Sequence, residues 1–134
     1  MTAGTIERPK RGDIIRYVYL FKSEQAQGRD EGVKERYVLV AGVIGNVYRV
    51  LAITTKGEKT KGAIKLPDPV ASAAGLSNDS SIVVTEFNRF TFPGYDIRPL
   101  MDQPGYIHGR LSPRFTEKII AELKARKATS VDRD

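Results

Sequence analysis

Apolar residues occur mainly in short runs of β-branched and aromatic side chains, separated by turns rich in glycine, proline and charged residues. Such runs predict β-strands, because branched and aromatic side chains fit a pleated sheet. The predicted strands span residues 14–21, 34–44, 47–56, 63–66, 81–86, 95–100 and 106–108. In the first of them, Tyr17 and Tyr19 share one face while Ile14 and Val18 share the other, which predicts a strand buried on both sides.

A helical pattern follows this series of strands. Ser112 and Pro113 are an N-cap residue and a proline at the first helical position. One apolar stripe of a helix then consists of Phe115, Ile119, Ile120 and Leu123. Short strands followed by one helix predict a mainly β fold, a small and strongly curved antiparallel sheet that forms a partly open barrel capped by a C-terminal α-helix.

Length and composition predict a single domain. The chain has 134 residues, of which 40% are hydrophobic, enough to form one core. We expect this domain at residues 11–126, with a flexible N-terminal arm at 1–10 and a C-terminal tail at 127–134. Residues 22–35 carry charges and glycines without a periodic apolar pattern, so they predict a long loop.

The residue types that are missing exclude several kinds of site. The chain has no cysteine, so it has neither disulfides nor thiolate metal sites, and a single histidine, His108, argues against a histidine-based metal centre. The N-terminus lacks the apolar core of a signal peptide, and no segment approaches the roughly 20 apolar residues of a membrane span. We therefore expect a cytoplasmic protein that binds no membrane.

The stretch at 34–56 predicts a hairpin, because Gly45 and Asn46 separate two apolar runs and suit a two-residue turn. With regular pairing, Arg36 faces Thr55 and Tyr37 faces Thr54. An arginine fork suits a phosphate, and a threonine hydroxyl can donate a further hydrogen bond to it. This end of the hairpin is therefore a candidate phosphate site.

Positive charge is concentrated in the segment that continues from the hairpin. Between residues 49 and 65 five basic residues stand against one acidic residue, so the segment carries +4 of the net charge of +6. The basic residues are Arg49, Lys56, Lys59, Lys61 and Lys65. This cluster predicts a polyanion or an acidic protein segment as partner; the alternative is a lysine-rich loop that serves only solubility.

Four short segments occur in an order typical of one protein family. They are Lys-Arg-Gly-Asp-Ile at 10–14, Arg-Tyr-Val-Leu-Val at 36–40, Ala-Ile-Thr-Thr at 52–55, and Gly-Leu-Ser-Asn-Asp-Ser at 75–80 with Val-Val-Thr-Glu at 83–86. In order and spacing they resemble the MazF and PemK family of toxin ribonucleases, over roughly residues 10–125. The chain departs from that family in Tyr37, where the family has proline, and in a longer first loop. Residues 88–100, with residues 106–111 after them, resemble a less-studied branch of the family more than its best-known toxins.

The resemblance implies an SH3-like barrel, a homodimer and the toxin of a type II toxin-antitoxin pair. The implied activity is metal-independent, cofactor-free and sequence-specific cleavage of single-stranded RNA, which leaves a 2′,3′-cyclic phosphate. The implied partner is an acidic antitoxin protein that covers the RNA groove. Carried over by position, the catalytic residues are Arg36 and Thr54. Thr55 is the second choice, because a one-residue shift of register turns a side chain to the other face, and a β-bulge would reconcile the two.

RNA carries its own nucleophile, the 2′-hydroxyl, so the enzyme has chiefly to position it and stabilise charge on the phosphorane-like transition state. Arg36 would supply that charge and Thr54 a hydrogen bond. Arginine does not readily act as a base. The general base therefore stays open among Glu24, Glu31 and Glu35.

Further residues have two interpretations each. His108 is a candidate general acid or base, because histidine as a residue type titrates near neutrality, although the family uses no such residue. Residues 87–94 are predicted to be irregular, because Asn88 and Pro93-Gly94 interrupt the strand pattern. The aromatics in and just after this stretch could stack on RNA bases or belong to the core; they are Phe87, Phe90, Phe92 and Tyr95. The competing functions are a CcdB-like toxin that binds a topoisomerase, an RNA-binding regulatory module, and an interaction domain without either activity.

Overall fold

The computed structural model describes residues 7–23, 34–94 and 96–134. Within these ranges the elements are β1 (Asp13–Tyr19), β2 (Lys34–Ile44), β3 (Val47–Thr54), a 3-10 turn (Gly57–Lys59), β4 (Ala63–Lys65), α1 (Asp68–Ala73), β5 (Ser81–Val83), β6 (Glu86–Thr91), β7 (Ile97–Arg98), β8 (Ile107–Arg110), α2 (Pro113–Ala125) and β9 (Thr129–Asp132). The predicted mainly β fold with a helix near its C-terminus is confirmed.

The nine strands in the described ranges form one open sheet. Its main path runs β4-β5-β3-β2-β1-β7, while β6 lies beside β3, β8 beside β1, and β9 beside β6. Among the described strands the pairings are antiparallel, except that β6 and β9 are parallel. The strands β1, β2 and β3 therefore lie in the middle of the sheet.

These central strands are buried on both faces, as the sequence predicts for β1. Consecutive residues alternate between two clusters, so Ile14 packs with the first and Ile15 with the second. The first cluster includes the apolar residues of α1 and α2. The second is rich in aromatic rings, and Phe90 stacks on both Tyr17 and Tyr48, with centroids 4.9 and 5.4 Å apart.

The helix α2 begins where its capping residues predict. The hydroxyl oxygen of Ser112 accepts a hydrogen bond from the Phe115 N–H at 3.3 Å, and Pro113 occupies the first turn. Phe115, Ile119 and Ile120 are buried in the first core cluster. The predicted apolar stripe thus anchors the helix on the sheet.

Two segments differ from the sequence-based expectation. Residues 127–134, expected to be a tail, contain β9, which pairs with β6 and buries Val131. The signal is weak, because Val131 is the single apolar residue of this four-residue strand. β6 itself extends to Thr91, through a stretch that the pattern predicts to be irregular, because the polar side chain of Asn88 is accommodated inside the core.

The hairpin of β2 and β3 changes register once along its length. Next to the turn, Gly42 pairs with Arg49, as a plain two-residue turn requires. Ala41 is then an extra residue in β2, a β-bulge, beyond which Val38 pairs with Ala52. The register without a bulge is therefore wrong at the open end of the hairpin.

The bulge changes which side chains share a face at that end. Arg36 and Thr54 each lie two residues beyond the last observed pair, Val38 with Ala52, so both follow the same side of the hairpin. Without the bulge, Arg36 would share a face with Thr55. The bulge thus reconciles the hairpin with the family motif, which favours Thr54 over Thr55.

Candidate functional site

A cleft of about 940 Å³ lies at the open end of the hairpin. It exists because β2 and β3 separate there: the pairing between them ends at Val38 and Ala52, and Thr54 pairs instead with Ser81 of β5. Meanwhile Arg36 stays paired with Tyr17 of β1. The two strands thus turn toward different neighbours and leave a space between their ends.

Both residues predicted to be catalytic line this cleft, and so does the second choice, Thr55. The lining includes consecutive residues of each strand, Arg36 with Tyr37 and Ile53 with Thr54. Because neighbouring residues in a strand point to opposite faces, the cleft extends around the ends of both strands.

Arg36 is half-buried, and its guanidinium carbon lies 4.8 Å from the centroid of the Phe21 ring. This geometry is that of a cation-π contact, which orients the charged group. The Tyr19 side chain lies close enough to respond to it: burial and the Glu86 charge raise the pKa of Tyr19, while the Arg36 charge opposes that shift. The positive charge of Arg36 is therefore held near the buried end of β1.

Thr54 is fixed by the chain that follows it. Its hydroxyl oxygen accepts a hydrogen bond from the Lys56 N–H at 3.0 Å. A hydroxyl that accepts in this way keeps its own proton for donation to a ligand. Lys56 is exposed and also lines the cleft, so its side chain adds a positive charge to the site.

An ion pair forms another part of the cleft wall. Arg16 donates to the Glu35 carboxylate at 2.5 Å and to the Pro99 carbonyl at 2.8 Å, and the Arg16 side chain is only 16% exposed. Glu35 is thus the one proposed base whose position is described, and it is engaged with Arg16. Glu24 and Glu31 lie outside the described residues.

His108 reaches the cleft from β8 and stacks on Tyr37, with ring centroids 4.2 Å apart and planes inclined by 24°. Its Nε2 lies 2.8 Å from the carbonyl oxygen of Gly75. Because a carbonyl can only accept, Nε2 carries the proton. Sequence pattern alone gave no reason to bring these three residues together.

Two glycines allow this approach. Gly75 has φ +74°, and a Cβ there would lie 3.1 Å from the His108 Nε2. At Gly109 a Cβ would lie only 2.3 Å from the Ala74 carbonyl oxygen. Side chains at these positions would push β8 away from the end of α1, so the glycines set how deeply His108 enters the cleft.

Of the five residues predicted to bind RNA, Lys56 is the one that lines the cleft. Arg49 lies seven residues earlier, in β3, with its guanidinium carbon 5.5 Å from the Phe87 ring centroid. The Lys65 ammonium is engaged with the carbonyls of Leu66 and Asn78. Lys59 and Lys61 are exposed in the turn after β3, outside the lining of the cleft.

The aromatics proposed for base stacking belong largely to the core. Phe90 is only 2% exposed, and Phe87 and Phe92 pack as partly buried residues against the first and second core clusters. These three rings therefore belong to the core or pack against it. Tyr95 lies outside the described residues.

The sequence prediction missed three parts of the cleft. Arg16 is a charged residue within an otherwise apolar strand, a signal that could have identified it. Tyr37 follows the predicted catalytic arginine directly, but its replacement of proline carried no chemical argument. Leu100, Met101 and Asp102 come from the irregular segment between β7 and β8, where no pattern indicates proximity to the hairpin.

Over the described ranges, no three or more histidine, aspartate or glutamate side chains are grouped where they could hold a metal ion. No helix in the same ranges has both the length and the apolar character needed to cross a membrane. No protein-family model matches the chain, and no curated protein matches it. The relationship to the MazF and PemK family thus stays a prediction from the sequence motifs.

Proposed function

We propose that the protein is a metal-independent endoribonuclease that cleaves single-stranded RNA in this cleft and acts as the toxin of a toxin-antitoxin pair. The observation that carries the proposal is that Arg36 and Thr54, distant in sequence, line one cleft together with Lys56. A guanidinium, a hydroxyl and an ammonium are the groups that bind and stabilise a phosphodiester.

The reaction follows from the chemistry of RNA. The 2′-hydroxyl attacks the adjacent phosphorus, the bond to the 5′-oxygen breaks, and the products are a 2′,3′-cyclic phosphate and a free 5′-hydroxyl. Arg36 stabilises the negative charge that develops on the phosphoryl oxygens, and Thr54 donates a hydrogen bond to one of them. The residue that removes the 2′-proton stays open among Glu24, Glu31 and Glu35.

The finer architecture and the partners belong to the same proposal. We propose that the sheet is an SH3-like, partly open barrel of the CcdB and PemK type, that the protein is a homodimer, and that an acidic antitoxin covers the cleft. The excess of positive charge supports an acidic partner. Co-expression with a neighbouring acidic reading frame, followed by isolation of an inactive complex, would test this partner.

Incubation of the purified protein with cellular RNA in a chelator, followed by mapping of RNA ends, tests the activity. We expect short recurring cleavage sites with cyclic phosphate ends. Arg36→Ala should lower the cleavage rate by about 100-fold to 1000-fold, the range for removal of one transition-state donor. Thr54→Val, which removes the hydroxyl and keeps the shape, should lower it by about tenfold.

Two substitutions outside the cleft are matched controls. Arg114→Ala removes an exposed arginine of α2, and Thr129→Ala an exposed threonine of β9; both should cleave at the wild-type rate. Equal activity of Arg36→Ala and wild type would refute the proposed role of the arginine. RNA binding without any cleavage would point instead to a regulatory RNA-binding module.

A further inference from the structure

We propose that Tyr37 and His108 form a stacking platform for one unpaired nucleobase of the RNA, beside the phosphate held by Arg36 and Thr54. This inference rests on the proposed function, because it identifies the part of the substrate that the aromatic wall of the cleft contacts. It assigns a binding role to two residues outside the proposed phosphate-binding machinery.

The two rings already provide a flat aromatic surface. Their centroids are 4.2 Å apart with planes inclined by 24°, which is a stacked arrangement. His108 stacks on the Tyr37 ring, and Tyr37 as a whole residue is still 37% exposed. Because Tyr37 lines the cleft, ring surface remains there for a further flat group.

Exposure of apolar residues is concentrated at this cleft. Among the described residues, the large hydrophobic side chains that are exposed are Tyr37, Ile44 and Met101, and two of these three line the cleft. Exposed apolar surface inside a concave site marks a ligand contact. Met101, at 87% exposed, adds an adaptable side chain to the lining of the same cleft.

The platform is held in place before any ligand arrives. The hydrogen bond from His108 Nε2 to the Gly75 carbonyl, 2.8 Å long, fixes the imidazole, and the imidazole in turn supports the phenol ring. A preorganised ring loses little conformational entropy when a base stacks on it.

The chemistry of the surroundings selects a nucleotide from among flat ligands. Arg16, Arg36 and Lys56 line the same cleft, so an aromatic surface and cationic groups lie within one site. Proteins bind single-stranded RNA with this combination, because bases stack on aromatic side chains while cations contact the phosphates. Bases paired in a duplex are not free to stack in this way.

Binding of an RNA analogue that cannot be cleaved tests the platform. The probe is an oligoadenylate of about 12 nucleotides with 2′-fluoro sugars, compared with an abasic oligomer of the same length, both measured by fluorescence anisotropy. We expect wild type to bind the adenine oligomer about tenfold more tightly than the abasic one. Tyr37→Ala should lose this preference, whereas Tyr37→Phe should keep it.

The control variant is Ile44→Ala, which removes an exposed hydrophobic residue of the same strand outside the cleft, and which should bind both oligomers as wild type does. If Tyr37→Ala does not fold, Tyr37→Leu retains apolar bulk without a flat ring and should also lose the preference. The platform would be overturned if Tyr37→Ala or Tyr37→Leu still bound the adenine oligomer more tightly than the abasic one. Loss of the preference in Tyr37→Phe would overturn it as well.

The two measurements distinguish failure of the platform from failure of the proposed nuclease. A Tyr37-dependent preference for bases without cleavage of ordinary RNA would support the platform and refute the nuclease. RNA cleavage combined with affinity that does not depend on Tyr37 would refute the platform alone. A further control is displacement of the labelled oligoadenylate by oligoglutamate or by unlabelled RNA. If both competitors displaced it equally well, in wild type and in Tyr37→Ala alike, the occupant of the cleft would be an acidic peptide and the inference would be overturned.

Discussion

At the scale of single residues, Asn88 illustrates how a polar side chain organises the core. It is fully buried, its Nδ2 donates to the Leu20 carbonyl at 2.7 Å, and its Oδ1 accepts from the Leu20 N–H at 2.9 Å. Both backbone groups of Leu20, just past the end of β1, are thereby satisfied away from water. The asparagine side chain thus makes the two hydrogen bonds that a neighbouring strand would otherwise make with Leu20.

Substitution of Asn88 by alanine should lower the free energy of unfolding by about 2–5 kcal/mol, because two buried backbone groups lose their partner. Urea denaturation followed by circular dichroism measures the change. Asn78→Ala, at an exposed position, is the control and should stay within about 0.5 kcal/mol of wild type. A loss below 0.5 kcal/mol in Asn88→Ala would show that water replaces the amide at about no cost.

At the scale of elements, the β2 bulge fixes the register of a hairpin and the cap of α2 fixes the first residue of a helix. Secondary-structure propensity alone determines neither. The bulge at Ala41 shifts the register by one residue, and so brings Arg36 and Thr54 to one side of the hairpin. The cap at Ser112 fixes where α2 starts, and hence which of its residues enter the core.

Loss of the cap should be measurable in isolation. Ser112→Ala removes the acceptor of the Phe115 N–H, so we expect a loss of about 1 kcal/mol in the free energy of unfolding and a lower Tm. The control is Ser72→Ala in α1, where the serine is exposed, and where alanine should be neutral or slightly stabilising. Differential scanning calorimetry of both variants decides the point; equal melting temperatures would contradict a capping role.

At the scale of the whole molecule, two tyrosines buried in the second core cluster couple stability to alkaline pH. Burial raises the pKa of Tyr17 and, with the Glu86 charge, that of Tyr19, so both stay protonated in the folded protein when unfolded tyrosine ionises. The unfolded chain then binds fewer protons than the folded one. Stability is therefore fully present below the unfolded pKa of about 10 and falls as pH rises above it.

We expect Tyr17→Phe to weaken this alkaline loss by about 1.4 kcal/mol per pH unit above pH 10, because one ionising group is removed. Below that pH the variant and wild type should follow parallel stability curves, which is the internal control. Urea midpoints measured from pH 8 to about pH 11 provide the test. A slope identical to wild type above pH 10 would show that Tyr17 ionises without unfolding.

An element can be predicted from the sequence when the contacts that form it are local. The β-branched runs, the Gly45-Asn46 turn and the Ser112-Pro113 cap each act within a few residues, and the strands, the hairpin and α2 follow from them. The pattern does not predict β9, because its one apolar residue, Val131, is buried only through pairing with β6. The full length of β6 is not predicted either, because Asn88 is polar and its burial depends on hydrogen bonds to Leu20.

The same distinction holds for the cleft. The sequence by itself determined that an arginine and two threonines stand at the open end of one hairpin, because a two-residue turn fixes which ends meet. Only the tertiary structure decided which threonine shares a side with Arg36 and which aromatic side chains reach the cleft. These depend on a bulge and on the approach of β8 to β2, and packing between distant segments sets both.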